Sequence, residues 1–187
     1  MRASTAEHVQ LRDDLIRVVT SRLLDPLSVL LQSDSAVESI RRQMRGDAEM
    51  WAAQLLGPDD TCARQLAVRL VAALYPGDTP FDPPEEWWQT PLGRAVARRV
   101  GHPGAAQVSY AVAGAMLGIT RQGVHDLVKR SKLRRHPDGG VTTASVRTRL
   151  VELRRTAPTQ DPGGTHGRPT RGERSDRGLG TRSPGRP

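Results

Sequence analysis

The sequence predicts a mainly α fold in two parts: an N-terminal helical bundle, then a second helical domain that carries a small β-hairpin. Three observations lead there. Apolar residues recur at steps of three and four through much of 1–76 and again through 90–156, the period of helices with one buried face. A Pro-rich stretch ending in Trp87-Trp88 separates these tracts. Turn chemistry, Pro137-Asp138-Gly139-Gly140, then stands between two short apolar segments. The expected organisation is a helical assembly or partner domain over 1–76, a Pro/Trp linker over 77–89, the second domain over 90–156 and a disordered basic tail over 157–187.

In the first part, Val9, Leu15, Ile16, Val19 and Leu23 mark a helix expected to stop before Pro26. Val37, Ile40, Met44, Ala48, Trp51 and Leu55 make the longest helical stripe of the chain. Cys62, Leu66, Leu70, Ala73 and Leu74 mark a third helix, capped at Asp59-Asp60 and ended by Pro76-Gly77. If the bundle leaves the 37–55 stripe uncovered, it would suit contact between two copies. A homodimer held by the N-terminal helices is therefore expected.

The two linker tryptophans are expected to pin that stretch onto the following domain. Thr90-Pro91 is a helix start, with Thr as N-cap and Pro at the first helical position, and Gly101 with Pro103 marks its end. Leu92, Val96 and Val100 form its buried row, which leaves Arg94, Arg98 and Arg99 to a solvated face.

Residues 109–133 read as two short helices crossing over a tight turn, a helix-turn-helix. Leu117 closes the first helix, Gly118 supplies a positive φ, Ile119 is expected to turn inward, and Thr120 caps the second helix. Ala113, Gly114, Leu117, Ile119, Val124 and Leu127 form the expected shared core. The opposite face of the second helix offers Arg121, Gln122, His125, Asp126 and Lys129, side chains of the kind that reach base edges in a major groove. Residues 133–142 then read as a hairpin wing, with Leu133 and Val141 inward and Arg134 and Arg135 outward. Thr142 or Thr143 caps a last helix to about Arg155, whose stripe is Val146, Leu150 and Leu153.

Charge separates the two parts. Residues 1–104 carry a net −2 and residues 105–187 a net +10, so the basic half is the half that holds the helix pair. That asymmetry is the electrostatic footprint of a phosphate backbone. Arginine use as such carries no information, because 26 of the 28 basic residues are Arg throughout. The tail has six arginines, three acids and one large apolar residue, Leu179, too little to offset the entropy of ordering.

No enzyme is expected. The histidines are scattered, Cys62 is the single cysteine on an apolar stripe, and the adjacent pairs Asp13-Asp14 and Asp59-Asp60 read as caps rather than an acid-base couple. No metal site, cofactor, phosphate-binding loop, export signal or membrane span is read, which suits the cytosol.

Residues 107–150 resemble the winged helix-turn-helix DNA-binding domains of the MerR and excisionase type. The resemblance is carried by the AxxLGIT-RQxV pattern, with Gly114 at its Ala position, by the Lys132-Leu133 step, and by the GGVTTASV entry to the last helix. It implies double-stranded DNA as partner and Thr120, Arg121, Gln122, His125 and Lys129 as contacts, with Arg134 and Arg135 on the wing. Arg130 and Lys132, between helix and wing, complete the expected set. Two departures are Gly123 inside the second helix and the absence of the long dimerising helix that follows the wing in MerR regulators. The function expected is sequence-specific DNA binding, as a transcriptional regulator. Two alternatives are an excisionase-like, plasmid or phage architectural protein, and an adaptor that the basic domain localises to DNA. No small-molecule effector is legible.

Overall fold

A computed structural model describes residues 4–156; the tail expected over 157–187 lies outside the described residues. Helix α1 (Thr5–Val19) starts at the Ser4 hydroxyl, which accepts from the Glu7 N–H. As an α-helix it ends at Val19, before Pro26, but the helical path does not stop there. The chain runs through one wider π turn (Thr20–Leu24), where the Asp25 N–H reaches back to the Thr20 carbonyl, into α2 (Asp25–Leu31). Pro26 thereby sits in the first turn of α2, where a missing N–H costs nothing.

Gln32, at φ 49°, reverses the chain into α3 (Asp34–Leu56), capped by Ser33. Asp59 caps α4 (Asp60–Leu74) by accepting from the Cys62 N–H at 3.0 Å. Helix α1 packs on α3 and α3 on α4. Their contact absorbs the 37–55 stripe: Val37, Ala48 and Leu55 are fully buried and Met44 and Trp51 pack against them. Only Ile40 stays exposed, so the stripe is covered within one chain and is not the expected seam for a dimer.

The linker stretch folds back rather than spacing two domains. Tyr75, Phe81 and Trp87 meet edge to face, the Trp87 indole donates to the Tyr75 hydroxyl at 2.6 Å, and Trp88 is fully buried. Helix α5 (Pro91–Val100) follows, capped by the Thr90 hydroxyl on the Gly93 N–H. It packs against α1, α3 and α4 as well as against the last helices, and the buried apolar side chains from Leu11 to Val146 form one cluster. Residues 4–156 thus belong to one compact unit, with no break in the core at 77–89.

The last part comprises β1 (Gln107–Val108), α6 (Tyr110–Leu117), α7 (Arg121–Lys129), β2 (Val141–Thr142) and α8 (Thr143–Thr156). The chain is mainly helical, with β1 and β2 forming a small antiparallel sheet in which Gln107 faces Thr142 and Val108 faces Val141. Strand β1 is an element that sequence patterning missed, being too short to show a period.

Candidate nucleic-acid interface

Three local features set the geometry of α6 and α7. The Ser109 hydroxyl caps α6 on the Val112 N–H, Gly118 ends it at φ 69°, and the Thr120 hydroxyl caps α7 on the Gly123 N–H at 3.1 Å. Between the caps the chain passes close to Gly114. A Cβ there would lie 2.7 Å from the Ile119 carbonyl oxygen, so the departure from Ala at this position follows from how tightly the turn is drawn over α6.

Ala113, Gly114, Leu117 and Val124 are buried and Leu127 is half-buried. Ile119 departs from expectation. It is 38 % exposed and, with Leu153 of α8 at 39 %, lines a cleft of about 930 Å³ beside the turn. The turn's carbonyl, rather than its side chain, makes the close contact with α6.

Helix α7 ends at Arg130, after which Ser131 takes φ 55° and the Lys132 N–H returns to the Leu127 carbonyl at 2.8 Å. That left-handed step, with no glycine to announce it in the sequence, turns the chain into the hairpin. Arg135 bridges Val141, the Thr142 N–H donates to the Arg134 carbonyl at 2.9 Å, and the Gly139 N–H closes the turn on His136 at 3.1 Å. Leu133 and Val141 point into the core, as their alternation predicted. The Thr142 hydroxyl accepts from the Ser145 N–H at the start of α8, while Thr143 is buried and donates to the Ala105 carbonyl.

All nine residues expected to contact DNA are exposed: Thr120, Arg121, Gln122 and His125 with Lys129 on α7, Arg130 and Lys132 just beyond it, and Arg134 and Arg135 on the hairpin. Among the described residues, none of the six cations in this set has a carboxylate partner within 4.0 Å. Elsewhere the described arginines divide: Arg42, Arg45, Arg69, Arg94 and Arg155 are also exposed without a carboxylate partner, whereas others are committed. Arg98 pairs with Glu7, Arg147 with Asp60, and Arg99 donates to the Leu55 and Gly57 carbonyls as well as to Asp60. Of the three arginines expected on a solvated face of α5, only Arg94 is exposed; Arg98 and Arg99 tie α5 to the bundle instead.

Helix ends differ along the chain. Glu7, Asp25, Asp34 and Asp60 place a carboxylate in the first turn of α1, α2, α3 and α4, whereas α5, α6, α7 and α8 have none. The positive end of the α7 dipole, flanked by Arg121, is left without a local acid. Two acids do lie on this surface: Asp138 is exposed at the hairpin turn beside His136, and Asp126 accepts from the Gln122 amide at 3.4 Å and holds that side chain along the helix. The His125 ring meets Tyr110 edge to face, with centroids 6.1 Å apart.

Burial and the neighbouring Arg98 and Arg99 hold the Arg154 guanidinium below its usual range against the pull of Glu7, and burial lowers the His102 imidazole. At Asp60, burial works upward but Arg147, Arg99 and Arg64 outweigh it and hold the carboxyl below the usual range. Among the described residues, no group of three or more His, Cys, Asp and Glu side chains is placed to hold a metal ion, and no helix is long and apolar enough to cross a membrane. Comparison of the chain with family models, curated proteins and solved structures gives no match.

Proposed function

We propose that α6, α7 and the 133–142 hairpin form a winged helix-turn-helix, and that the protein is a cytoplasmic, non-enzymatic, sequence-specific binder of double-stranded DNA acting as a transcriptional regulator. Helix α7 enters the major groove, where Arg121 and Gln122 at its N-terminal end reach base edges. Arg134 and Arg135 hold the phosphate backbone. The observation that carries this reading is the concentration of charge on this surface: six exposed cations without carboxylate partners fall within residues 121–135, on consecutive elements. Such a surface keeps its charge for a polyanion, and counterion release on binding supplies the affinity.

Selection of bound duplexes from random DNA by the full chain tests it. A short motif, enriched and protected in footprints, is the expected result. Tandem protected sites spread along the DNA would point to an architectural role, and failure to enrich any duplex would overturn the reading.

A further inference from the structure

We infer that the cleft beside the α6–α7 turn binds a small organic acid, its carboxylate among arginines of α5 and α8 and its apolar body along the turn. At about 930 Å³ the cleft has the size of a small-molecule site. Three elements supply its apolar side. Ile119 of the turn and Leu153 of α8 line it and are exposed, and Leu150 lies half-buried three positions before Leu153. Ala111 and Ala115, four apart on one face of α6, leave the width that larger side chains would fill.

Charge selects the ligand. Arg98 and Arg154 line the cleft with Arg94, one helical turn before Arg98 on α5. One oxygen of Glu7 takes Arg98 at 2.5 Å and the other lies 3.6 Å from Arg154. Among the described residues, the solvent-shielded Nη2 of Arg154 has no hydrogen-bond acceptor and Arg94 has no carboxylate partner. Three guanidinia are thus set around one carboxylate. Burial, with Arg98 and Arg99 nearby, already holds Arg154 below its usual range, and a second carboxylate offsets that deficit of negative charge. Arg121 adds a fourth cation to the lining, against one acid, Glu85. A bare phosphate would leave the apolar side uncovered and a neutral hydrocarbon would leave the guanidinia unmatched, whereas a carboxylate on an apolar body answers both.

Thr120 and Arg121 also line the cleft, so its occupant reaches the start of α7, a step toward regulation that rests on the function proposed above. An anion there offsets the charge that Arg121 offers to DNA. Acid and duplex should therefore oppose one another, each weakening the other by the same factor.

Titration of the full chain with octanoate, followed by its amide NMR spectrum, should give saturable shifts at Ala115, Gly118, Ile119 and Leu153, with a dissociation constant of about 1 mM or below. Octanol, which lacks the charge, and inorganic phosphate, which lacks the body, should each bind at least about tenfold more weakly. Arg94→Gln should weaken octanoate about fivefold, and Leu153→Glu should abolish its binding. Both side chains are exposed, so circular dichroism should stay unchanged. Saturating octanoate, compared with sodium chloride at the same concentration, should weaken binding of the selected duplex about fivefold or more. The absence of saturable shifts, shifts centred on the exposed end of α2, octanol bound as tightly as octanoate, or an affinity that neither substitution changes overturns the inference. A chain that selects a duplex but takes up no octanoate sinks the cleft alone, and one that takes up octanoate but selects no duplex sinks the DNA reading alone. A duplex affinity that octanoate leaves unchanged overturns the opposition between the two.

Discussion

The carboxylate of Asp14 on α1 accepts a hydrogen bond from the Leu92 N–H at 2.9 Å, so the first turn of α5 is capped by a residue 78 positions earlier in the chain. Its second oxygen pairs with Arg17, and the side chain is almost fully buried. The contact couples the bundle to the helix on which α6 and α8 rest. A buried N–H would lose a charged acceptor in Asp14→Ala, which should destabilise the whole unit by about 1.5–3 kcal/mol. Urea unfolding followed by circular dichroism and by tryptophan fluorescence should show one coincident, shifted transition. A loss confined to one probe would mean that the two halves unfold separately.

At Gly114 the fold and the resemblance to other helix-turn-helix sequences make opposite demands. Ala suits the motif and favours helix, yet its Cβ would press on the Ile119 carbonyl at 2.7 Å. Gly114→Ala should therefore destabilise by about 1–3 kcal/mol and weaken DNA binding with it, because the strain is relieved by moving the turn that starts α7. A neutral or raised melting midpoint would contradict the tight crossing described here.

Acid should weaken the core at His102. Its ring packs against Phe81 and Trp88, its Nδ1 accepts from the Gly104 N–H at 3.2 Å, and burial lowers it from the usual 6.5 against a weaker opposing pull from Asp82. The unfolded chain thus takes up a proton that the folded chain resists, and this contribution to stability, complete above about pH 6.5, is lost as pH falls toward the folded value. His102→Asn keeps an acceptor but cannot titrate. Its melting midpoint should fall less between neutral pH and about pH 5 than that of the wild type, and equal slopes would contradict the assignment.

Local chemistry was the legible part of this fold. Gly118, Thr120 and the Thr90-Pro91 start carry their consequences within four residues, and the structure places each where its chemistry predicts. What escaped the sequence depends on partners far along the chain. Arg98 and Arg99 look like a solvated face until Glu7, Leu55 and Gly57 are brought to them. Ile119 looks like core until the turn is drawn so close that its carbonyl, not its side chain, meets α6. Pro26 reads as a stop, and only the wider turn before it lets α2 exist and display its apolar end. Exposure of Arg121, Gln122, His125 and Lys129 was foreseeable from their helical phase, whereas the exposure of both Arg134 and Arg135, which alternation would place on opposite sides, and the lack of paired carboxylates beside the cations emerge only in three dimensions.

Base reading and backbone anchoring should separate by mutation. Arg121→Ala and Gln122→Ala are expected to relax preference at particular base positions of the selected motif by about 1–3 kcal/mol. Arg134→Ala and Arg135→Ala should weaken all duplexes evenly. Competition binding against single-base variants measures both, and altered preference from the hairpin with uniform loss from α7 would assign the reading to the wing.

The central claim, that the unpaired cations of α7 and the hairpin are held for a phosphate backbone, is met most directly by the salt dependence of binding to the selected duplex. For the full chain, the logarithm of affinity should fall linearly with the logarithm of salt concentration, with a slope that corresponds to roughly four to six phosphates neutralised per protomer. Arg134→Ala should reduce that slope by about one. Affinity that does not respond to salt, or a slope that stays the same when Arg134, Arg135 and Lys132 are each replaced, would contradict the account.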